Sequence, residues 1–80
     1  MSKHKKLFEA IRSNLYGVRF QDGCKAAELL GFTRTGGKGS HCVYARQGEA
    51  LHLNFQDRDG YLLSYQVKQL IKMMDKYGDL

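Results

Sequence analysis

Eighty residues allow one small domain, and we expect residues 1–80 to fold as a single unit with a modest core. Apolar residues make up 42% of the chain and charged residues 26%, which is typical of a globular protein and argues against disorder. The net charge of +5 favours an anionic partner: nucleic acid, an acidic protein or a membrane surface. No run approaches the ~20 apolar residues of a membrane span, and no signal peptide is evident, so we expect a cytoplasmic protein.

The two cysteines, Cys24 and Cys42, are too few for a disulfide scaffold, and we expect both to be reduced and to fill the core. The chain has no CxxC motif and no cluster of cysteine and histidine at the spacing of zinc ligands, so no metal is expected. A domain of this size has little room for a deep pocket. We therefore expect no small-molecule cofactor and a site on the surface.

The predicted elements, in chain order, are two helices, three strands and a third helix. In the first helix Leu7, Ile11 and Leu15 recur every four residues, which indicates one apolar face. Asp22 is the expected N-cap of the second helix, and Ser64 is that of the third. The predicted helices and strands cover 3–14, 22–30, 32–35, 40–46, 49–56 and 64–77, with a short extended segment at 18–20.

Strands grouped between helices favour an α+β fold, a three-stranded antiparallel sheet with helices on one face. We centre the second hairpin on Gln47-Gly48, which pairs His41 with Asn54 and Arg46 with Glu49. The face expected to meet the helices carries Cys42, Tyr44, Leu51, Leu53 and Phe55. The open face carries His41, Val43, His52 and Asn54. A slip of one residue would instead bury His41.

His41 is the candidate catalytic residue. A histidine exchanges its proton near neutral pH, so it can take the proton of a ribose 2′-hydroxyl, whose oxygen then attacks the adjacent phosphorus. The glycine-rich loop at 36–39 can present backbone N–H groups to a phosphate, and Lys38 adds a positive charge. A surface histidine after an ordinary glycine turn fits the same pattern. His52 suits either an assisting role or a solvated position on its strand, and we favour the solvated position.

Other side chains suit contact with RNA. Lys68, Lys72 and Lys76 recur every four residues, where like charges repel slightly and an anionic partner would relieve the repulsion. A solvated helix face gives the same pattern. Tyr61 suits stacking on a base, whereas we expect Tyr65 to close the edge of the core.

Three segments resemble the HicA toxin family: ELLGF at 28–32, KGSHCVY at 38–44 and YQVKQLI at 65–71. Gly39-Ser40-His41 is the strongest element, and the order and spacing of the segments carry the resemblance. It implies a fold like a double-stranded-RNA-binding domain and a bacterial type II toxin that cleaves mRNA. It also implies a HicB-type antitoxin that covers the histidine. By motif match, His41 takes the essential role, with Gly39 and Ser40 as its setting.

The chain departs from the family in its loops. Many relatives have an arginine shortly before the Gly-Ser-His motif, where this chain has Gly36-Gly37, and Arg34 is the expected substitute. The loop at 57–61 is less basic than is common in the family, and the first helix is an addition. The predicted RNA-binding set is Arg34, Lys38, Gly39, Ser40, Lys68 and Lys72. Three hypotheses remain: a metal-independent endoribonuclease, an RNA-binding module without chemistry, and an interaction protein that docks an acidic antitoxin.

Overall fold

The structure is a computed structural model that describes residues 3–78. Within this range three helices and three strands follow one another in the predicted order. They are α1 (Lys3–Ser13), α2 (Phe20–Leu29), β1 (Thr33–Gly36), β2 (His41–Ala45), β3 (Leu53–Gln56) and α3 (Ser64–Tyr77). The strands form one antiparallel sheet in the order β1-β2-β3, which confirms the α+β class. Among the helices of this range, none has the length and apolar content needed to cross a bilayer.

The core lies between the sheet and α2 and α3, and α1 packs against these two helices. The predicted apolar stripe of α1 contributes Ile11, which is 2% exposed, together with its neighbour Phe8. The buried side chains of the sheet lie on one face, and those of α3 meet them. The buried residues of these elements are Cys42, Tyr44, Leu53, Phe55, Val67, Leu70, Met73 and Met74.

The starts of α2 and α3 differ from the predicted caps. Arg19, in an extended conformation, precedes α2, so Asp22 lies within the first turn and does not cap the helix. Leu63 occupies the N-cap of α3 in place of Ser64. The buried Gln66 side chain accepts hydrogen bonds from the N–H groups of Leu63 and Gln56, both at 3.2 Å. This amide ties the start of α3 to the end of β3.

The register of the β2–β3 pair differs from the predicted one by two residues. His41 lies opposite Gln56, and Tyr44 opposite Leu53. The shift arises because residues 50–52 stay in the connecting loop and do not extend β3. Side chains alternate with a period of two, so an even shift leaves each strand residue on its predicted face. His52 was predicted to lie in the third strand, but it is exposed in the loop and has no cross-strand partner in the sheet.

The chain turns between Arg46 and Glu49 as predicted, and the Glu49 N–H donates to the Arg46 carbonyl oxygen at 3.0 Å. The predicted charge pair between these two side chains is wrong, because the loop is held by the C-terminal end of α3. Arg46 donates from Nε to the Leu30 carbonyl oxygen at 3.0 Å, and its guanidinium lies 3.9 Å from the centre of the Tyr77 ring. Glu49 accepts hydrogen bonds at Oε1 from Lys76 Nζ at 2.7 Å and from the Tyr77 hydroxyl at 2.6 Å. Each charged side chain therefore finds its partner in a helix and not across the strands.

Glu49 is expected to make the protein less stable in acid. Hydrogen bonds from Lys76, then Tyr77, then the Leu51 N–H lower the pKa of Glu49 to about 2, against about 4.3 in an unfolded chain. The carboxylate therefore contributes its full stabilisation above about pH 4.3, and this contribution is lost as the pH falls toward 2. We expect Glu49→Gln to lower the urea midpoint at pH 6 and to approach wild type only as the pH falls toward 2.

The matched control for this prediction is Asp75→Asn. The carboxylate of Asp75 also bonds a cation, Arg12 at 2.6 Å, but its side chain is 62% exposed, whereas that of Glu49 is 7% exposed. An exposed ion pair contributes little, so the Asp75 variant should show a small and nearly pH-independent change. Equal pH dependence in the two variants would contradict the role of Glu49.

Candidate functional site

His41 is the first residue of β2 and lies exposed on the open face of the sheet, as predicted. The next residue, Cys42, is buried, and the alternation repeats at Val43 and Tyr44. The His41 N–H donates to the Lys38 carbonyl oxygen at 3.0 Å, which closes a turn around Gly39. The structure thus brings together the imidazole and the Lys38-Gly39-Ser40 turn.

The turn before His41 carries backbone N–H groups that can donate hydrogen bonds to a ligand. Lys38, Gly39 and Ser40 are all exposed. Within residues 3–78 their N–H groups find no hydrogen-bond acceptor. Gly39 has a positive φ of 59°, and successive N–H groups around such a residue form a concave anion-binding surface. Together with the Lys38 ammonium they make a positive rim beside the imidazole.

Gly37 holds this loop against β2. Its φ is +114°, and a Cβ at this position would overlap the carbonyl oxygen of His41. We expect Gly37→Ala to displace the loop from His41 and to slow any reaction at this site by about 10²-fold, the usual cost of a displacement near 1 Å. Single-turnover cleavage rates measure the effect, with circular dichroism to confirm folding.

Gly36→Ala is the matched control for that substitution. Gly36 is the neighbouring residue, the last of β1, but its φ is not positive, and a Cβ there would meet no atom within 4 Å. Its cleavage rate should stay close to that of wild type. A Gly37 variant that cuts as fast as the Gly36 variant would show that the close approach to His41 has no part in the site.

The other predicted RNA-binding residues lie apart from His41. Arg34 pairs with Tyr44, so it starts on the face that meets the helices, although at the exposed edge strand. Its Nε donates to the Gly36 carbonyl oxygen at 3.4 Å. Lys68 and Lys72 are exposed on α3, in the helical layer of the protein. No contact among the described residues joins these three cations to the Lys38-Gly39-Ser40 turn.

A second turn, at residues 58–61, adjoins the first. The sequence predicted only a loop at these residues. The Asp57 N–H donates to the Ser40 carbonyl oxygen at 2.7 Å, which continues the β2–β3 ladder by one pair. Arg58 and Tyr61 then exchange two backbone hydrogen bonds, at 2.9 and 3.0 Å, around Asp59-Gly60. Both central residues have positive φ, 55° and 89°. An Asp-Gly pair is a strong signal for such a tight hairpin, so the sequence did contain it.

Tyr61 and Tyr65 are both on the surface, with 43% and 58% of their area exposed. The expectation that Tyr65 closes the core is therefore wrong. Tyr61 also bridges to Arg19, a partner far away in the sequence. Arg19 and Arg58 are exposed cations that sequence reasoning did not include in the site.

The titratable groups beneath the sheet are not poised for chemistry. Burial, followed by contacts with Cys24 and Glu28, raises the pKa of Tyr44, whose hydroxyl donates to Glu28 Oε2 at 3.1 Å. Burial also raises the pKa of the Cys24 thiol, which disfavours the nucleophilic thiolate. Both cysteines are free thiols, and Cys42 is buried as predicted. Among the described residues, no three His, Cys, Asp or Glu side chains cluster as metal ligands would.

Comparison with protein-family models, with curated proteins and with solved structures found no match to this chain. The resemblance to the HicA toxins thus rests on the motifs in the sequence.

Proposed function

We propose that this protein is an RNA-cleaving toxin of the HicA type, a metal-independent endoribonuclease that acts on mRNA with His41 as its acid–base residue. The observation that carries the proposal is the exposed imidazole on the open face, next to a turn with unpaired N–H groups. A phosphodiester laid on the turn would have its oxygens near these donors and its ribose near the imidazole.

The proposed reaction uses groups of the chain, the RNA and one water molecule. His41 takes the proton of a 2′-hydroxyl, and the resulting oxygen attacks the adjacent phosphorus. The bond to the 5′ oxygen breaks, and that oxygen takes a proton from water. The hydroxide left behind takes the proton from the His41 imidazolium, which returns the residue to its neutral form. The N–H groups of 38–40 and the Lys38 ammonium stabilise the charge that develops on the phosphoryl oxygens. The products are a 2′,3′-cyclic phosphate and a 5′-hydroxyl.

The fold and the charge are consistent with this proposal. The elements α2-β1-β2-β3-α3, with the helices against one face of the sheet, follow in the order expected from the resemblance to a double-stranded-RNA-binding domain, and α1 would be an addition to it. We propose this relationship for the fold. The net charge of +5 favours an RNA ligand. A HicB-type antitoxin would neutralise the toxin by covering the open face around His41.

The proposal is tested with purified protein and an end-labelled mRNA fragment, with and without EDTA. We expect cleavage at discrete sites, unchanged by the chelator, and fragments that end in a 2′,3′-cyclic phosphate. Fragments with 3′-hydroxyl ends, or cleavage that stops on chelation, would point to another mechanism. If the RNA stays intact after incubation with the folded protein, the proposed endoribonuclease activity is contradicted.

An RNA-binding module without chemistry is the second candidate, and one observation favours it. Within residues 3–78 no side chain hydrogen-bonds to the imidazole of His41, so no partner orients the ring. A catalytic histidine is often held by such a partner. This candidate predicts salt-dependent RNA affinity with no cut product in the assay above.

A further inference from the structure

A row of three exposed side chains lies beyond the end of the β2–β3 ladder. Arg58 and Tyr61 form one antiparallel pair, and Tyr61 and Arg19 form the next. The second pair is flanked by hydrogen bonds from Phe20 N–H to the Gly60 carbonyl and from Leu62 N–H to the Val18 carbonyl, both 2.9 Å. Residues that pair directly across antiparallel strands project their side chains to the same side. We call Arg19, Tyr61 and Arg58 the arginine–tyrosine row.

Burial agrees with this placement. Val18 and Leu62, the residues beside the Tyr61–Arg19 pair, are each 4% exposed and face the core. Arg19, Tyr61 and Arg58 alternate with them and are exposed. Nothing in the described part of the chain pairs either guanidinium with a carboxylate. An aromatic face with an uncompensated cation on each side is therefore open to a ligand.

The row lies next to His41. Gln56 is the partner of His41, and the Asp57–Ser40 hydrogen bond carries the ladder one residue further. Arg58 follows two residues after Gln56, which is about 7 Å along an extended strand. Side chains alternate along such a strand, so Arg58 starts on the face that carries His41.

We propose that the arginine–tyrosine row is a subsite for one unpaired nucleotide of an RNA strand, with its base stacked on Tyr61 and its flanking phosphates held by Arg19 and Arg58. The inference rests on the proposed function, because it places the strand beside the residue that would cut it. A base within a duplex has both faces covered by its neighbours, so only an unpaired base can stack on the ring. The row matches a nucleotide, because the aromatic ring can stack on the flat base and the two arginines can bind the negatively charged phosphates on either side of it.

Two acidic side chains lie near the row in the sequence, and neither forms an ion pair with its arginines within the described residues. Asp57 uses its carboxylate as an acceptor for the Gly60 N–H at 2.7 Å, within the tight turn. Asp59 is exposed at the tip of that turn, one position beyond the Arg58–Tyr61 pair. Two arginines therefore flank the ring, and Asp57 and Asp59 belong to the turn that pairs Arg58 with Tyr61.

The first test uses Tyr61→Trp as a fluorescent probe. The chain contains no tryptophan, so the new indole is the sole one, and its 43% exposed site accommodates the larger ring. The ligand is a short single-stranded RNA whose riboses are 2′-O-methylated, because it lacks the attacking hydroxyl and is not cut. We expect quenching by this strand and none by its duplex. Tyr16→Trp, at a site 80% exposed on the α1–α2 connection, should not respond.

The second test measures affinity for the same uncut strand. We expect Tyr61→Ala to weaken binding at least about fivefold and Tyr61→Phe to leave it unchanged, since stacking needs the ring and not the hydroxyl. Arg19→Ala and Arg58→Ala should each reduce the slope of log K against log salt by about 0.7, as expected for one lost phosphate contact. Tyr16→Ala is the control for loss of an exposed tyrosine.

The outcomes separate the subsite from the enzyme. If the strand leaves the fluorescence of the Tyr61→Trp protein unquenched, or if duplex RNA quenches it equally, the subsite is overturned even where unmodified RNA is cut. Quenching of this protein by the single strand, together with weakened binding by Tyr61→Ala, would uphold the subsite even if unmodified RNA is never cut. Equal losses for Tyr61→Ala and Tyr16→Ala would also overturn it, because binding would then not depend on the row.

Discussion

Replacing His41 with alanine is expected to abolish RNA cleavage and growth arrest while the protein stays folded. General acid–base catalysis by one side chain commonly supplies a factor of about 10²–10⁴ in rate, and the loss should be of that size. The imidazole is exposed and has no side-chain hydrogen bond within residues 3–78, so its removal should change stability by less than about 0.5 kcal/mol. Single-turnover cleavage of labelled RNA and urea unfolding measure the two effects.

His52→Ala is the matched control. It removes a second exposed histidine, from the loop between β2 and β3, where no strand pairing or glycine-rich turn surrounds it. We expect this variant to cut RNA and to arrest growth as wild type does. A folded His41→Ala protein with full cleavage activity would refute the catalytic role. A variant that binds the uncut strand as wild type does but fails to cut would assign His41 to the chemical step.

The face on which His41 lies was predictable even though the strand register was not. Alternation of apolar and polar residues in 41–45 and 53–56 requires Cys42, Tyr44, Leu53 and Phe55 to point one way, whatever the pairing. Loop length, by contrast, is set by contacts that no local pattern contains. The Glu49 carboxylate accepts hydrogen bonds from Lys76 and Tyr77 of α3, and residues 50–52 stay in the loop.

The N-terminal cap of α3 also depends on tertiary contacts that the local sequence does not contain. Ser64 has the residue type of an N-cap, and the helix does begin there. The structure instead uses Gln66, whose buried amide oxygen serves Leu63 and the end of β3 together. A local rule selects a residue that can cap, whereas the tertiary fold decides which one does.

Only part of the arginine–tyrosine row, the pair of Arg58 with Tyr61, could be predicted from the sequence. Asp59-Gly60 is a local signal for the tight hairpin that pairs Arg58 with Tyr61, and it could have been used. Arg19 comes from the other half of the chain. Its pairing with Tyr61 depends on the packing of Val18 and Leu62 in the core, so no sequence pattern near Arg19 predicts it.

Phe55→Ala is expected to have the largest effect on stability, because this ring anchors the face opposite His41. Phe55 is 1% exposed, pairs with Cys42, and lies 5.8 Å from Tyr44 between ring centres. Removing a buried phenylalanine ring costs about 3–5 kcal/mol. At roughly 0.05–0.15 kcal/mol per residue, a chain of 80 residues holds about 4–12 kcal/mol in total. The loss is therefore a large part of the total, and it should appear as a markedly lower urea midpoint.

Asn54→Ala, one residue away on the open face, is the control for that measurement. Asn54 is exposed and pairs with Val43, so its truncation should move the urea midpoint little. The contrast between the two variants reports the orientation of β3. Since β3 and β2 pair residue by residue, the orientation of Phe55 fixes that of Cys42, and His41 must then point the other way. If Asn54→Ala proved the more damaging change, the imidazole would face the helices and no phosphodiester could reach it.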